Sequence, residues 1–281
     1  MAKGETFSGE NSFPPWPKKY FGQNFLISEF HSSRIVEIAD LTRADTVVEI
    51  GPGRGAITKK LAATEARVFA LEIDVELFDY LSAELAGIDN LTILNADALT
   101  FDFKKTAKKS KKRLKIVANL PYNVSTRILF RLLEHRHNIE KMALMFQKEV
   151  ADRITASPGG KNYGALSIFP QLCADITVAL KLPPGAFYPA PKVKSSVLLF
   201  DILKKQRFEV KNEKFLRDLI QSGFSQRRKK LLNSLKNFFQ DDETLKTALD
   251  ISGIDGSRRI ETLSIEEMCA LGNTAYDISH R

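Results

Sequence analysis

The chain predicts a doubly wound α/β domain, a mostly parallel sheet with helices on both faces, followed by a small all-helical domain. Three observations predict it. Short apolar, β-branched runs alternate with helical patterns from Val47 to Phe146, as parallel strands joined by crossover helices require. The first of these runs stops at three alternating glycines, Gly51, Gly53 and Gly55, before a helical pattern begins. Beyond Lys204 the β-branched runs cease and amphipathic helical patterns take over.

At 281 residues the chain can hold one large core and a smaller appendage. It divides into a loose polar lead at 1–17, the α/β domain at 18–204 and the helical domain at 205–281. The 42 Lys and Arg exceed the 34 Asp and Glu, giving a net charge of +8. That balance favours a polyanionic partner, with nucleic acid first among the candidates. Cys173 and Cys269 form no CxxC motif and have no histidine cluster beside them, so neither a disulfide framework nor a metal site is expected. The amino end has no apolar signal-peptide core, and no run approaches the ~18 apolar residues of a membrane span. A monomer in the cytoplasm, away from membranes, is expected.

In chain order, Ser28 caps a helix with Ile35, Val36, Ile38 and Ala39 on one face. Val47–Ile50 is the first strand, and a helix runs from Ala56 to about Thr64. The second strand, Val68–Leu71, ends in Glu72. A helix carrying Leu77, Phe78, Leu81 and Leu85 leads to a third strand, Leu91–Leu94, which ends near Asp97. The basic run from Phe103 to Arg113 reads as a solvated loop. It enters the fourth strand, Lys115–Ala118, from the amino end and so cannot reach the strand's other end, roughly 17 Å away at ~3.3 Å per residue. Asn119-Leu120-Pro121-Tyr122 follows, then a helix through Ile128 and Leu133 and a fifth strand, Met142–Phe146. Asp175–Leu182 and Ser195–Asp201 are two further strands joined by a proline-rich connection. Leu231, Leu232, Leu235, Phe238 and Phe239 read as one helical stripe, and Ser264-Ile265-Glu266-Glu267 as a capping box.

Ligands in such sheets sit beyond the carboxyl ends of the strands, where Gly51, Glu72, Asp97 and Asn119 all fall. The glycine turn fits both a dinucleotide fingerprint and its adenosylmethionine counterpart. Glu72, about 20 residues on, is placed to accept from both ribose hydroxyls and suits either ligand. Asp97 can accept from an adenine amino group or cap a turn.

Asn119-Leu120-Pro121-Tyr122 separates the two. The 6-amino group of adenine is a poor nucleophile because its lone pair is delocalised. Two acceptors holding its protons tetrahedrally, the Asn119 side-chain oxygen and the Leu120 carbonyl, would free that lone pair for an incoming methyl group. Pro121 fixes the turn and removes a competing donor. Tyr122 can stack on the purine, a contact worth ~1 to 3 kcal/mol. No strand end carries a histidine or lysine that could polarise a carbonyl for hydride transfer.

With Phe21-Gly22-Gln23-Asn24-Phe25-Leu26, Glu49-Ile50-Gly51-Pro52-Gly53, Gln147-Lys148-Glu149-Val150, Tyr163-Gly164, the stretch from Pro183-Pro184 through Phe187 to Pro191-Lys192-Val193, and Phe224 with Gln226-Arg227-Arg228-Lys229, the chain resembles the bacterial ribosomal RNA small-subunit adenine dimethyltransferase family, the KsgA type. The likeness extends from about Lys18 to Asn273. It implies a Rossmann-like domain using S-adenosylmethionine and yielding S-adenosylhomocysteine. It further implies dimethylation of two adjacent adenosines in the 3′-terminal hairpin loop of 16S rRNA, within the assembling small ribosomal subunit. By position, Asn24 and Leu26 would close over the donor beside Gly51 and Gly53, Glu72 would hold its ribose and Asp97 its adenine. Asn119 would lie between donor and target, and Phe187 would offer a second aromatic face opposite Tyr122. Two alternatives share the fold, a large-subunit methyltransferase of the macrolide-resistance type and a non-catalytic RNA-binding assembly factor. A nicotinamide-dependent oxidoreductase is the alternative from another class. The run at 103–113 is more basic than the family suggests.

Ser225 to Lys230 reads as the first turn of a helix bearing Arg227, Arg228, Lys229 and Lys230. Cations there oppose the macrodipole at ~0.3 to 1 kcal/mol each, a penalty that a phosphate would reverse. RNA-backbone contact is expected from these four residues.

Overall fold

A computed structural model describes residues 14–18 and 22–280. The expected lead therefore lies outside the described residues as far as position 13, as does Phe21. Nine strands and eleven α-helices follow in chain order among the described residues. They are β1 (Phe25–Leu26), α1 (Glu29–Ala39), β2 (Thr46–Ile50), α2 (Thr58–Ala62), β3 (Arg67–Glu72), α3 (Val75–Glu84), β4 (Leu91–Asn95), α4 (Phe103–Ser110), β5 (Leu114–Asn119) and α5 (Ser125–Glu134). After these come β6 (Ile139–Gln147), α6 (Lys148–Ile154), α7 (Ala165–Cys173), β7 (Ala174–Leu182), β8 (Phe187–Tyr188), β9 (Ser195–Ile202), α8 (Glu213–Ser225), α9 (Leu231–Ser234), α10 (Asp242–Ile251) and α11 (Ile265–Ser279).

Seven strands form one sheet in the order β4-β3-β2-β5-β6-β9-β7, while β1 and β8 pair separately. The run from β4 to β6 is parallel, and β9 is antiparallel to both of its neighbours. Strand order reverses between β2 and β5, so their carboxyl ends flank the crevice where ligands of doubly wound folds bind. The side-chain period of two explains the double cover. Val48, Ile50, Ile116, Ala118, Leu144 and Phe146 belong to one buried cluster, while Val47, Val68, Val117, Ala143 and Met145 belong to the other. The Rossmann-like fold with helices after it is the expected one. The first cluster continues through α7 into Leu216, Leu219, Ile260 and Leu271, so the helical layer packs directly on the α/β layer.

Local signals that were legible hold. The Ser28 side chain caps α1, and Ser264 with Glu267 forms the reciprocal capping box of α11. Three expectations need correction. The basic run at 103–113 is helical over its first eight residues, because Phe103 and Ala107, one turn apart, are buried and Asp102 caps by accepting from the Lys105 amide at 2.8 Å. The stripe from Leu231 to Phe239 is helical only as far as Ser234; beyond it turns carry Leu235 and Phe239 into the core. Arg227 to Lys230 do not open a helix. α8 ends at Ser225, Gln226 to Lys229 form turns, and α9 begins only at Leu231. The cations thus follow a helix carboxyl end, where the macrodipole favours positive charge.

Candidate active site

A cavity of about 370 Å³ opens at the carboxyl ends of β2, β3 and β5. Asn24, Leu26, Gly51, Gly53, Glu72, Asp97, Asn119, Leu120, Pro121 and Tyr122 all line it. The residues expected to hold donor and target are therefore brought together. Its size suits a nucleoside-sized ligand.

The glycine turn forms its floor. Gly51 and Gly53 have φ of +70° and +58°, a left-handed conformation that side-chain-bearing residues adopt only under strain. A Cβ on Gly53 would also meet the Phe25 ring at 2.9 Å. The Gly53 amide donates to Glu72 Oε2 at 3.1 Å, and the Asp74 amide donates to Oε1 at 3.0 Å. Each oxygen keeps a lone pair for a ligand hydroxyl, and burial pushes the carboxyl up from its ordinary range. Asp97 caps a turn and also lines the cavity. Its Oδ1 accepts from the Leu99 amide at 2.8 Å.

Glu49 joins this set without having been singled out. It is 1 % exposed, lines the cavity, and its Oε2 has no hydrogen-bond partner. Burial, with the nearby Glu72 charge adding to it, raises its pKa to about 8. A buried carboxyl with one oxygen left unpartnered among the described residues suits a ligand that carries positive charge, which a sulfonium or ammonium group does and a dinucleotide's phosphates do not. The signal was present in the sequence as one acid inside an apolar strand.

At the end of β5, Asn119 Nδ2 donates to the Asn24 carbonyl at 3.1 Å. That bond sets the amide's orientation and leaves Oδ1 as an acceptor. The Leu120 side chain is buried, which locks the turn. The Tyr122 hydroxyl bonds Ser195 Oγ at 2.8 Å, tying the ring to β9, and burial raises its pKa.

Two side chains near Asn24 in sequence are anchored at the start of α3. Lys18 reaches Asp74 at 2.8 Å and Glu76 at 3.0 Å, while Gln23 Nε2 donates to Asp74 at 3.1 Å. Burial pushes the Asp74 carboxyl up, but the bonds from Lys18 and Gln23 outweigh it and hold it below the usual range. Neither Lys18 nor Asp74 was marked in advance, since their partnership spans 56 residues.

Phe187 and the cations at 227–230 lie outside the cavity. Phe187 pairs with Leu26 across β8 and β1, is 3 % exposed, and packs in the cluster of Met145 and Val197, away from the cavity lining. It is buried among core residues and does not line the cavity as it stands. Arg227 to Lys230 also lie apart from the cavity. Arg227 is a structural tie, bonding Glu261 at 2.5 Å and the Lys161 carbonyl at 2.7 Å, whereas Arg228, Lys229 and Lys230 are exposed.

A family model described as ribosomal RNA adenine dimethylase matches residues 17–277. "Ribosomal RNA small subunit methyltransferase A" of Syntrophotalea carbinolica is 46% identical over 251 residues, covering 89% of this chain and 94% of the relative. The protein of the same name from Clostridium botulinum is 42% identical over 260 residues, covering 92% and 94%. Among solved structures, a dimethyladenosine transferase from Plasmodium falciparum superposes with a TM-score of 0.77 at 24% identity, covering 88% of this chain and 95% of that one. The 23S rRNA methyltransferase ErmE superposes with a TM-score of 0.68 at 24% identity, covering 90% and 100%. The two structures show a shared methyltransferase fold. The family match and the sequence identities over nearly the full length go further, and by them the chain belongs to the ribosomal RNA adenine dimethylase family.

Proposed function

We propose that this protein transfers methyl groups from S-adenosylmethionine to the 6-amino groups of two adjacent adenosines in the 3′-terminal hairpin loop of 16S rRNA, during assembly of the small ribosomal subunit. The observation that carries the reading is the Asn119 amide, oriented by the Asn24 carbonyl beside the glycine turn and Glu72. When bound, the donor supplies an electrophilic methyl group on a sulfonium. Glu72 would accept from its ribose hydroxyls, Asp97 would face its adenine, and Glu49 would face its positively charged end. Asn119 Oδ1 and the Leu120 carbonyl would accept the two protons of the target amine and turn its lone pair toward the methyl. The amine loses a proton only after it has been alkylated, so no side chain has to act as a strong base. Tyr122, tethered through Ser195, would cover one face of the unstacked base.

Outside the cavity, Arg228, Lys229 and Lys230 would contact phosphates by exposure and charge, without the helix-dipole advantage expected for them. The protein would act as a monomer in the cytoplasm, where subunits assemble. The small-subunit reading is favoured over the large-subunit one by the names of the sequence relatives, which align over nearly the whole chain. The test is methyl transfer from labelled donor to under-methylated small subunits, with mapping of the modified nucleosides. Label in two adjacent adenosines of the 3′ hairpin is the expected result; label confined to large subunits, or none, overturns the reading.

A further inference from the structure

α4 carries charge that neither the fold nor the cavity uses. Lys104, Lys105, Lys108 and Lys109 stand on two successive turns, Lys111 and Lys112 follow, and all six are exposed. Elsewhere in the chain, Lys59, Lys60, Lys115 and Lys141 each reach a carboxylate, but none of these six does among the described residues. The run from Phe103 to Arg113 contains no acid at all. Removing its seven cations from the chain's 42 leaves 35 against 34 Asp and Glu, so this one segment supplies nearly all of the net +8.

A helix that only needs solubility can mix both signs, as α8 does with Glu213, Lys214, Arg217 and Asp218. Lys104 and Lys108, like Lys105 and Lys109, are four residues apart, where like charges oppose each other and weaken the helix. α4 forms regardless, because Phe103 and Ala107 are buried beneath it and Asp102 caps it. The buried side thus holds the lysines in two fixed rows along a helix about 12 Å long. α4 starts shortly after Asp97, at the cavity edge of the sheet, and runs back toward the amino end of β5. It would meet RNA that flanks the reacting base and not the base itself.

We propose that the exposed lysine face of α4 binds the ribose-phosphate backbone of the substrate RNA outside the loop that enters the cavity. The proposal rests on the RNA-methylating reading above. Counterions released by that contact would make binding salt-dependent in proportion to the phosphates neutralised.

The test substitutes Lys104→Gln, Lys105→Gln, Lys108→Gln and Lys109→Gln together in the full chain, with the four Lys→Arg changes as a charge-preserving control. Binding is measured across salt concentrations to under-methylated small subunits and to protein-free small-subunit RNA, alongside donor affinity and methyl transfer to a short hairpin. The Gln variant should keep donor affinity and hairpin turnover. It should bind both larger partners more weakly, with the slope of log K against log salt shallower by about two if two phosphates lose their partners. The Arg variant should behave as wild type. An unchanged slope overturns the proposal. So does a loss seen with intact subunits but absent with protein-free RNA, which would assign the face to an acidic ribosomal protein. If the wild type itself binds no RNA, the methylation reading fails; if the wild type binds RNA and the Gln variant binds it equally well, α4 alone is refuted.

Discussion

The turn after β5 and the turn after α8 are both short connections, and they are built in opposite ways. In Asn119-Leu120-Pro121-Tyr122 almost every group is pinned: the amide by the Asn24 carbonyl, the leucine side chain by the core, the tyrosine hydroxyl by Ser195. In Arg227 to Lys230 only the Arg227 side chain has an ion-pair partner among the described residues, and the other three cations are exposed. The difference follows from what each turn would recognise. Presenting two protons of one amine to two acceptors demands fixed positions to a fraction of an ångström. Meeting a phosphate backbone demands charge and reach, which long unpaired side chains supply.

The largest expected effect tests the pinned turn. Asn119→Ala should lower methyl transfer by about 10²- to 10³-fold, the usual cost of removing one aligned hydrogen-bonding group at a reacting centre. Donor affinity should change little and the melting temperature hardly at all; a variant retaining wild-type turnover would remove the role assigned to Asn119. Next, Glu72→Gln should weaken donor binding by roughly ten- to a hundredfold, as expected for losing charge-assisted bonds worth ~1.5 to 3 kcal/mol. Titration calorimetry with the donor measures this, and an unchanged affinity would mean that the ribose lies elsewhere.

Substituting glutamine at Arg228, Lys229 and Lys230 should leave donor binding intact and make subunit binding less salt-sensitive, the slope falling by up to about three if each cation meets one phosphate. Turnover lost at all salt concentrations would instead mean that this turn shapes the cavity. The smallest effect concerns Glu49, whose folded pKa of about 8 lies above its ordinary value of 4.5. The folded state therefore binds the extra proton between those values. Its contribution to stability is fully present at low pH and is lost as pH rises through about 8. Without donor, melting temperature should fall with rising pH more steeply in the wild type than in Glu49→Gln. Parallel profiles would show that Glu49 is already ionised.

Much of the site was legible because its elements announce themselves locally. Gly51, Glu72, Asp97 and Asn119 each end a run of β-branched residues, and the alternation of strands with helices places all four ends on one edge of a sheet. The lysine helix was hidden for a local reason too. Phe103 and Ala107 are only two apolar positions in a run dominated by cations, so periodicity gave no warning of a buried face. An aromatic between prolines looks the same in sequence whether it lines a pocket or closes a core, and Phe187, on β8 paired with β1, is buried in the core cluster and not among the cavity lining.

From the order of residues alone came the strand ends, the glycine turn, the caps at Ser28 and Ser264 and the position of the turn after β5, since propensity, capping and turn chemistry act within about four residues. Tertiary structure alone brought Asn24 to Asn119 across 95 positions, Tyr122 to Ser195 across 73, and Lys18 to Asp74 across 56. These bonds depend on strand order, which brings segments far apart in sequence together. They arise only when a whole sheet, doubly covered and reversed between β2 and β5, has closed around its core.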